Sequence, residues 1–364
     1  MGNIRSFLLF PFSILYRLVT DIRNILYSTG ILPSEEFEIS VICIGNITVG
    51  GTGKTPHAEY LIDLLRKDFK VALLSRGYKR RSKGFRIVSH SSSVRETGDE
   101  PLQIFLKFPE ILVAVDRDRA HGIKIIMKEH PETDVIVLDD GFQHRRVKPG
   151  LSILLTEYNR LITRDYLMPY GNLRENRNNR RRADVIVITK APETVSGSEM
   201  EKITTELLWN DKQKLFFTSI SYNDLIPLFQ NSASERTELA KPNRENHGAV
   251  LVTGIAASGS LKVFLERYFK EIIHLDFPDH HYFSENDLEK IIRVWKDLIS
   301  PEKMLITTEK DAVRLREFTN IDDSIKRSFY YIPVEVSFLK DDKHEFDNMI
   351  FEYVRKNRRD NRIP

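Results

Sequence analysis

Val41-Ile-Cys-Ile-Gly-Asn-Ile-Thr-Val-Gly-Gly-Thr-Gly-Lys-Thr-Pro56 is a short apolar run broken by a glycine-dense loop that closes on Gly53-Lys54-Thr55. The β-branched stretch Val41 to Ile44 predicts a buried strand, and Ala58 to Arg66 predicts an amphipathic helix directly after the loop. Strand, glycine loop and helix in that order make a phosphate-gripping loop. Glycines at 50, 51 and 53 let backbone N–H groups turn onto an anion, and the helix N-terminus adds its positive end. Lys54 would reach the β- and γ-phosphates, and the Thr55 hydroxyl would ligate Mg²⁺. Thr48 stands where the general pattern opens with glycine, so it must avoid positive φ.

At 364 residues the chain exceeds the size at which one core keeps growing, so two domains are expected. The single cysteine, Cys43, lies inside the first strand, has no partner for an internal disulfide and reads as core filler. A net charge of +3 gives the chain no general attraction for polyanions. Basic residues cluster in Arg76 to Arg86, Arg174 to Arg182 and Arg355 to Arg359. Each cluster alone reads as a solvated face or tail. With few interleaved aromatics and no helix-turn-helix or zinc pattern, nucleic acid is not expected as a partner.

The N-terminal segment is uncharged from Ser6 to Tyr16, but Arg17, Asp21 and Arg23 then leave it too short to span a bilayer. On a helical wheel Phe7, Ile14, Leu18, Ile22 and Ile25 share one side, while Ser13, Arg17, Thr20, Asp21 and Asn24 share the other. That pattern suits a helix lying in a membrane interface, or one packed by its apolar side on the protein's own core. Pro11 is expected to kink or restart it. No small-residue cleavage site follows.

Further along, Val71–Ser75, Ile111–Val115, Asp134–Leu138, Leu151–Leu155 and Val185–Thr189 read as buried strands separated by helical patterns. The expected fold is α/β: a P-loop NTPase-like, doubly wound, mostly parallel sheet, a second smaller α/β domain and the N-terminal amphipathic helix. The expected division is a helix over 1–30, the phosphate-loop domain over 31–180, a second domain over 181–350 with an insertion near 230–247, and a basic tail over 351–364. Ala249 to Gly254 restarts the second domain as a strand feeding the small-residue turn 256–260, with no Lys-Thr to grip phosphate.

Two acidic segments could carry chemistry. Asp134-Val-Ile-Val-Leu-Asp-Asp-Gly141 is an apolar strand ending in paired carboxylates, and Asp139 or Asp140 fits the Mg²⁺-holding position beside a phosphate loop. Thr97-Gly-Asp-Glu-Pro101 is a glycine-set acidic turn that alone would most often be a helix cap. In Phe277-Pro-Asp-His-His-Tyr282, His280 could orient or accept a proton, or the turn could be a plain surface loop. Guanine recognition is argued against: Asp139-Asp140-Gly141 has the wrong spacing, and Thr189-Lys190-Ala-Pro192 lacks the aspartate that would read the base.

The ordered set Gly45 to Pro56, Ser75-Arg-Gly-Tyr78, Gly98-Asp-Glu-Pro101, Asp139-Asp-Gly-Phe-Gln-His144, Gly171-Asn-Leu-Arg-Glu175, Asp279-His280 and Thr308-Glu-Lys-Asp311 resembles the tetraacyldisaccharide 4′-kinases over nearly the whole chain. In that family's loop the glycines fall as the Gly50-Gly51 pair, so Thr48 is in place. The resemblance implies an ATP-dependent kinase that phosphorylates the 4′-hydroxyl of an acylated disaccharide 1-phosphate, a lipid A precursor. It would work as a peripheral protein at the cytoplasmic face of the bacterial inner membrane. It implies Asp99 as the base toward the sugar hydroxyl with His280 its partner, and Lys54 as a catalytic cation. Thr48, Gly50, Gly51, Thr52, Gly53, Lys54 and Thr55 would contact ATP. Thr55, Asp139 and Asp140 would hold Mg²⁺, and Arg76, Asn172, Arg174 and Glu175 would meet the acceptor. Asn172 stands where the family pattern leads one to expect proline.

Overall fold

The computed structural model describes residues 2–229, 246–256 and 258–360. In chain order the strands are β1 (Ser40–Asn46), β2 (Val71–Ser75), β3 (Arg86–Ile87), β4 (Leu112–Val115), β5 (Val135–Asp139), β6 (Leu151–Glu157), β7 (Val185–Thr189), β8 (Lys214–Tyr222), β9 (Ile226–Pro227), β10 (His247–Thr253), β11 (Glu271–Asp276), β12 (Glu302–Thr308), β13 (Phe329–Ile332) and β14 (Val334–Phe338). The α-helices are α1 (Gly2–Ser28), α2 (Lys54–Leu65), α3 (Val94–Thr97), α4 (Asp99–Lys107), α5 (Arg119–Glu129), α6 (Gly197–Leu207), α7 (Gly259–Leu265), α8 (Glu285–Asp297), α9 (Glu309–Leu315), α10 (Asp323–Lys326) and α11 (Asp342–Asp360).

The chain divides into two compact units. One takes the residues up to His90, Ile104–Ile220 and the chain from Val336 onward; the other takes Ser91–Gln103 and Ser221–Glu335. The expected boundary near residue 180 is therefore wrong. β7 pairs in parallel with β6 and β8 with β7, so the first sheet runs on past the arginine cluster. The stretch expected as a basic tail from 351 is helical through Asp360, with Val354 buried. The insertion expected near 230–247 lies, for residues 230–245, outside the described residues.

The first unit is built on a nine-stranded sheet in the order β14-β8-β7-β6-β1-β5-β2-β4-β3. The seven strands from β8 to β4 are mutually parallel, and β3 is antiparallel to β4. β1, β2, β5 and β7 are buried along their whole length, which is why each appears in sequence as a continuous apolar run rather than an alternating one. β1 separates β5 and β2 on one side from β6 and β7 on the other. The order of winding reverses there, and in such sheets ligands sit at the carboxyl end of the strands at this switch. The phosphate loop leaves β1 at that end.

α2 starts at Lys54 rather than Ala58. Pro56 is accommodated because the first helical turn needs no N–H there. β5 ends on Asp139, which leaves Asp140 in the turn.

α1 runs unbroken through Pro11. From Leu9 on, its polar side faces the protein: Ser13 and Asn24 are buried, while Phe12, Ile14, Leu15, Leu18, Val19, Ile22 and Ile25 are exposed. Ser13 Oγ donates to Leu167 O at 3.0 Å and accepts from Tyr170 N, Tyr16 Oη donates to Arg174 O at 2.9 Å, and Asn176 donates to Asp21. Packing by the apolar side, one of the two expected alternatives, does not occur. Among the described residues no helix is long and apolar enough to cross a membrane.

The second unit has a five-stranded sheet, β11-β10-β12-β13-β9, parallel except for β9 against β13. Val250, Val252, Leu288, Ile291, Leu305 and Phe329 are among the side chains filling its larger core.

Candidate active site

In the first unit Gly53 caps α2 in a left-handed conformation, φ 82°, and Gly50 has φ 99°. Both are geometries that a side chain would strain. Thr48 keeps negative φ. It is buried, near the Asn46 amide at 3.4 Å, while the same amide donates to Thr52 Oγ1 at 2.7 Å. The Gln143 amide in turn donates to Asn46 O. Asn46, Ser75 and Gln143 lie inside the quoted motifs but were given no role there, because each acts by hydrogen-bonding a neighbour.

Lys54 Nζ lies 3.9 Å from Asp140 Oδ1, and Arg174 Nη1 donates to Asp140 Oδ2 at 3.3 Å. Burial alone would raise the Asp140 carboxyl, but Lys54 and Arg174 overcome it and hold it below the usual range. Asp140 has a left-handed backbone, φ 47°, and the buried Arg119 donates to its carbonyl at 3.3 Å. Asp139 is buried at the end of β5 and accepts from Ser75 Oγ at 3.2 Å. Thr55 is half-buried in the first turn of α2, and Arg76 is exposed just after β2.

The segment carrying Arg174 is fastened to the loop. Val49 N donates to Asn172 O at 2.8 Å and Arg174 N to Ile47 O at 2.7 Å. The Asn172 side chain is itself held by Asp165 at 3.1 Å. Glu175 is buried, accepts from Asn179 at 3.1 Å and is ion-paired with Arg182; burial raises its carboxyl. Arg182 also covers the Phe142 ring at 4.4 Å, so part of the run expected as a solvated face is built into the structure.

In the second unit, Gly98 at φ 92° turns the chain into α4, and Asp99 is its first residue. Asp99 is buried, and its Oδ2 lies 2.8 Å from His280 Nδ1. Lys310 Nζ and Arg314 Nη2 each lie 3.9 Å from the same oxygen. Burial opposes ionisation, but the His280 hydrogen bond and the Lys310 and Arg314 charges prevail and hold the carboxyl well below the ordinary range. Lys310 also donates to Glu100 at 2.9 Å and approaches His280 Nε2 at 3.3 Å.

Thr308-Glu-Lys-Asp311 builds this setting. Thr308 caps α9, while Asp311 accepts from Thr308 Oγ1 at 2.6 Å, from Gly254 N at 2.9 Å and from Arg314 at 2.6 Å. Gly254 O accepts His280 N at 3.0 Å, which fixes the turn in which His280 takes φ 59°. Asp99 and His280, paired in expectation, are adjacent here, and Lys310, Arg314 and Glu100, which had no expected role, lie around them.

A family model described as tetraacyldisaccharide-1-P 4′-kinase, LpxK, matches residues 5–355. The chain belongs to this family. A tetraacyldisaccharide 4′-kinase of Phocaeicola vulgatus is 46% identical over 353 residues, covering 96% of each chain. One of Flavobacterium johnsoniae is 41% identical, covering 98% of this chain and 99% of its own. A crystal structure of LpxK from Aquifex aeolicus in complex with ATP superposes with a TM-score of 0.71 at 29% identity, covering 94% of this chain and 98% of that one. The Aquifex aeolicus structure shares the fold, and the family model bears out the family that the motifs resemble.

Proposed function

We propose that this chain is an ATP-dependent kinase of lipid A biosynthesis that transfers the γ-phosphoryl group to the 4′-hydroxyl of a tetraacyldisaccharide 1-phosphate. The observation that carries the reading is the convergence of Lys54 and Arg174 on Asp140 beside the glycine loop, in a chain of this family. Lys54 and the loop amides neutralise charge on the transferred group, and electrostatic stabilisation of this kind supplies the larger share of the rate.

Asp139, Asp140 and Thr55 are hard oxygen donors suited to Mg²⁺. Among the described residues Asp140 Oδ1 is buried with no hydrogen-bond donor, as an oxygen reserved for a cation would be. Held by these residues, Mg²⁺ would supply positive charge to offset that of the transferred phosphoryl group. Asp99 takes the proton of the acceptor hydroxyl, while His280 donates to its carboxylate and keeps it oriented. A positioned base of this kind contributes on the order of 10² to 10⁴ in rate.

The outward apolar face of α1, flanked by Arg17 and Arg23, supports action at a membrane surface, since it suits an anionic leaflet. On this reading the protein is peripheral at the cytoplasmic face of the inner membrane.

The test is incubation with γ-labelled ATP and the tetraacylated disaccharide 1-phosphate in mixed micelles. Label is expected on the distal sugar, and Asp99→Asn is expected to bind ATP as the parent does while transferring at least about 10²-fold more slowly. ATP turnover indifferent to the lipid, or near-parental transfer by Asp99→Asn, would sink the assignment.

A further inference from the structure

The Thr189-Lys190 pair fails as a guanine-reading motif, but the structure gives it other work. Three successive carbonyls of the phosphate loop are each taken by a side chain. Lys190 Nζ donates to Gly51 O at 2.7 Å, Thr189 Oγ1 to Thr52 O at 2.9 Å, and His57 Nδ1 to Gly53 O at 2.7 Å. A carbonyl can only accept, so the proton sits on Nδ1 of His57. Burial pushes this imidazole down to about 4, which keeps the ring neutral, and its bare Nε2 accepts from Thr218 Oγ1 at 2.9 Å. The Gly53 carbonyl thereby fixes the tautomer, and the Thr218 hydroxyl, able to donate, is compatible with it.

The consequence follows from the planarity of the peptide. In a trans unit the C=O and the next N–H point in opposite directions. Holding the carbonyls of 51, 52 and 53 against these side chains therefore turns the N–H groups of Thr52, Gly53 and Lys54 the other way. Thr52 N folds back on Gly50 O at 3.1 Å. The N–H groups of Gly53 and Lys54 remain aimed as an anion cradle at the start of α2.

Two features show that the arrangement is held under load. Lys190 has φ 56°, a left-handed conformation that strains a residue with a Cβ. Its ammonium is shared with Glu157 at 2.8 Å, and Glu157 in turn takes Arg160 at 3.3 Å. The Arg160 guanidinium lies against Gly50, where an added Cβ would come within 3.2 Å of Nη2.

We propose that Lys190, Thr189 and His57 are positioning residues that preset the phosphate-loop amides for the donor nucleotide. The inference rests on the ATP-donor reading above and goes beyond it. It is tested by equilibrium binding of ATP to the full chain without lipid acceptor, using the parent, Lys190→Met, Lys190→Arg and Thr189→Val, with melting temperatures alongside. Losing one charge-assisted hydrogen bond predicts an ATP Kd raised about tenfold in Lys190→Met and largely restored in Lys190→Arg. Thr189→Val, a buried near-isostere, is expected to weaken ATP severalfold while its KM for the lipid acceptor stays unchanged. Parental ATP affinity in both Lys190→Met and Thr189→Val would overturn the clamp, as would a fall in melting temperature with no change in Kd. If Lys190→Met does not fold, Thr189→Val decides. A parent chain that does not bind ATP would overturn the donor reading, and this inference with it.

Discussion

His144 shows how the surroundings of one side chain become a property that can be measured. Burial, with the charge of Arg119 adding to it, pushes its imidazole from 6.5 down to about 4, and Asp118, 3.7 Å from Nε2, does not reverse the shift. The unfolded chain takes up a proton near pH 6.5 that the folded chain refuses until about 4, so stability falls as pH drops through that window and is level above it. At about 1.4 kcal/mol per pH unit the full effect is on the order of 3 to 4 kcal/mol. Urea midpoints measured from pH 7.5 to 4.5 are expected to fall less in His144→Gln than in the parent, and identical slopes would refute this. At the residue scale motifs and the family resemblance singled out Lys54, Asp139, Asp140, Asp99 and His280, and the structure brings Lys54 to Asp140 and His280 to Asp99. Lys310 was hidden for a physical reason: its partner Glu100 lies 210 positions away, and no local spacing marks such an ion pair. Glu175 was expected at the acceptor, yet it is enclosed with Arg182 and Asn179.

At the element scale β1, β2, β4, β5, β6 and β7 were readable within one or two residues, since burial on both faces writes itself as an uninterrupted apolar run, whereas β8, β11, β12 and β13 were not named. The start of α2 was not, because proline in a first turn looks like an interruption. α1 was half legible: a wheel shows two faces but not which one the protein takes. Its outward side chains make a specific expectation. Leu15→Ser with Val19→Ser, at two exposed positions, removes apolar surface that touches no core. Recovery of the protein with anionic vesicles should fall on the order of tenfold or more. Melting temperature and ATP affinity should hold, and unchanged recovery would count against interfacial docking.

At the scale of the whole molecule the sequence foretold two α/β units but misplaced their division. The first unit leaves off at Ile220 and resumes at Val336, where β14 joins β8 at the edge of the sheet. The second unit likewise collects Ser91–Gln103, the segment bearing Asp99, from far upstream of its other residues. Composition along a chain marks linkers, not such returns.

The inward polar stripe of α1 sets an order of events during synthesis. Ser13 waits for Leu167, 154 residues later, which at 5–20 residues per second is roughly 8 to 30 s of translation. Throughout that interval the apolar face is already made while Ser13 has no partner, so the nascent chain should reach a lipid surface before its catalytic unit exists. Ribosome-bound chains halted before Leu167 are expected to float with vesicles, and the Leu15→Ser, Val19→Ser chain is not; equal flotation would show that the bilayer is met only after folding.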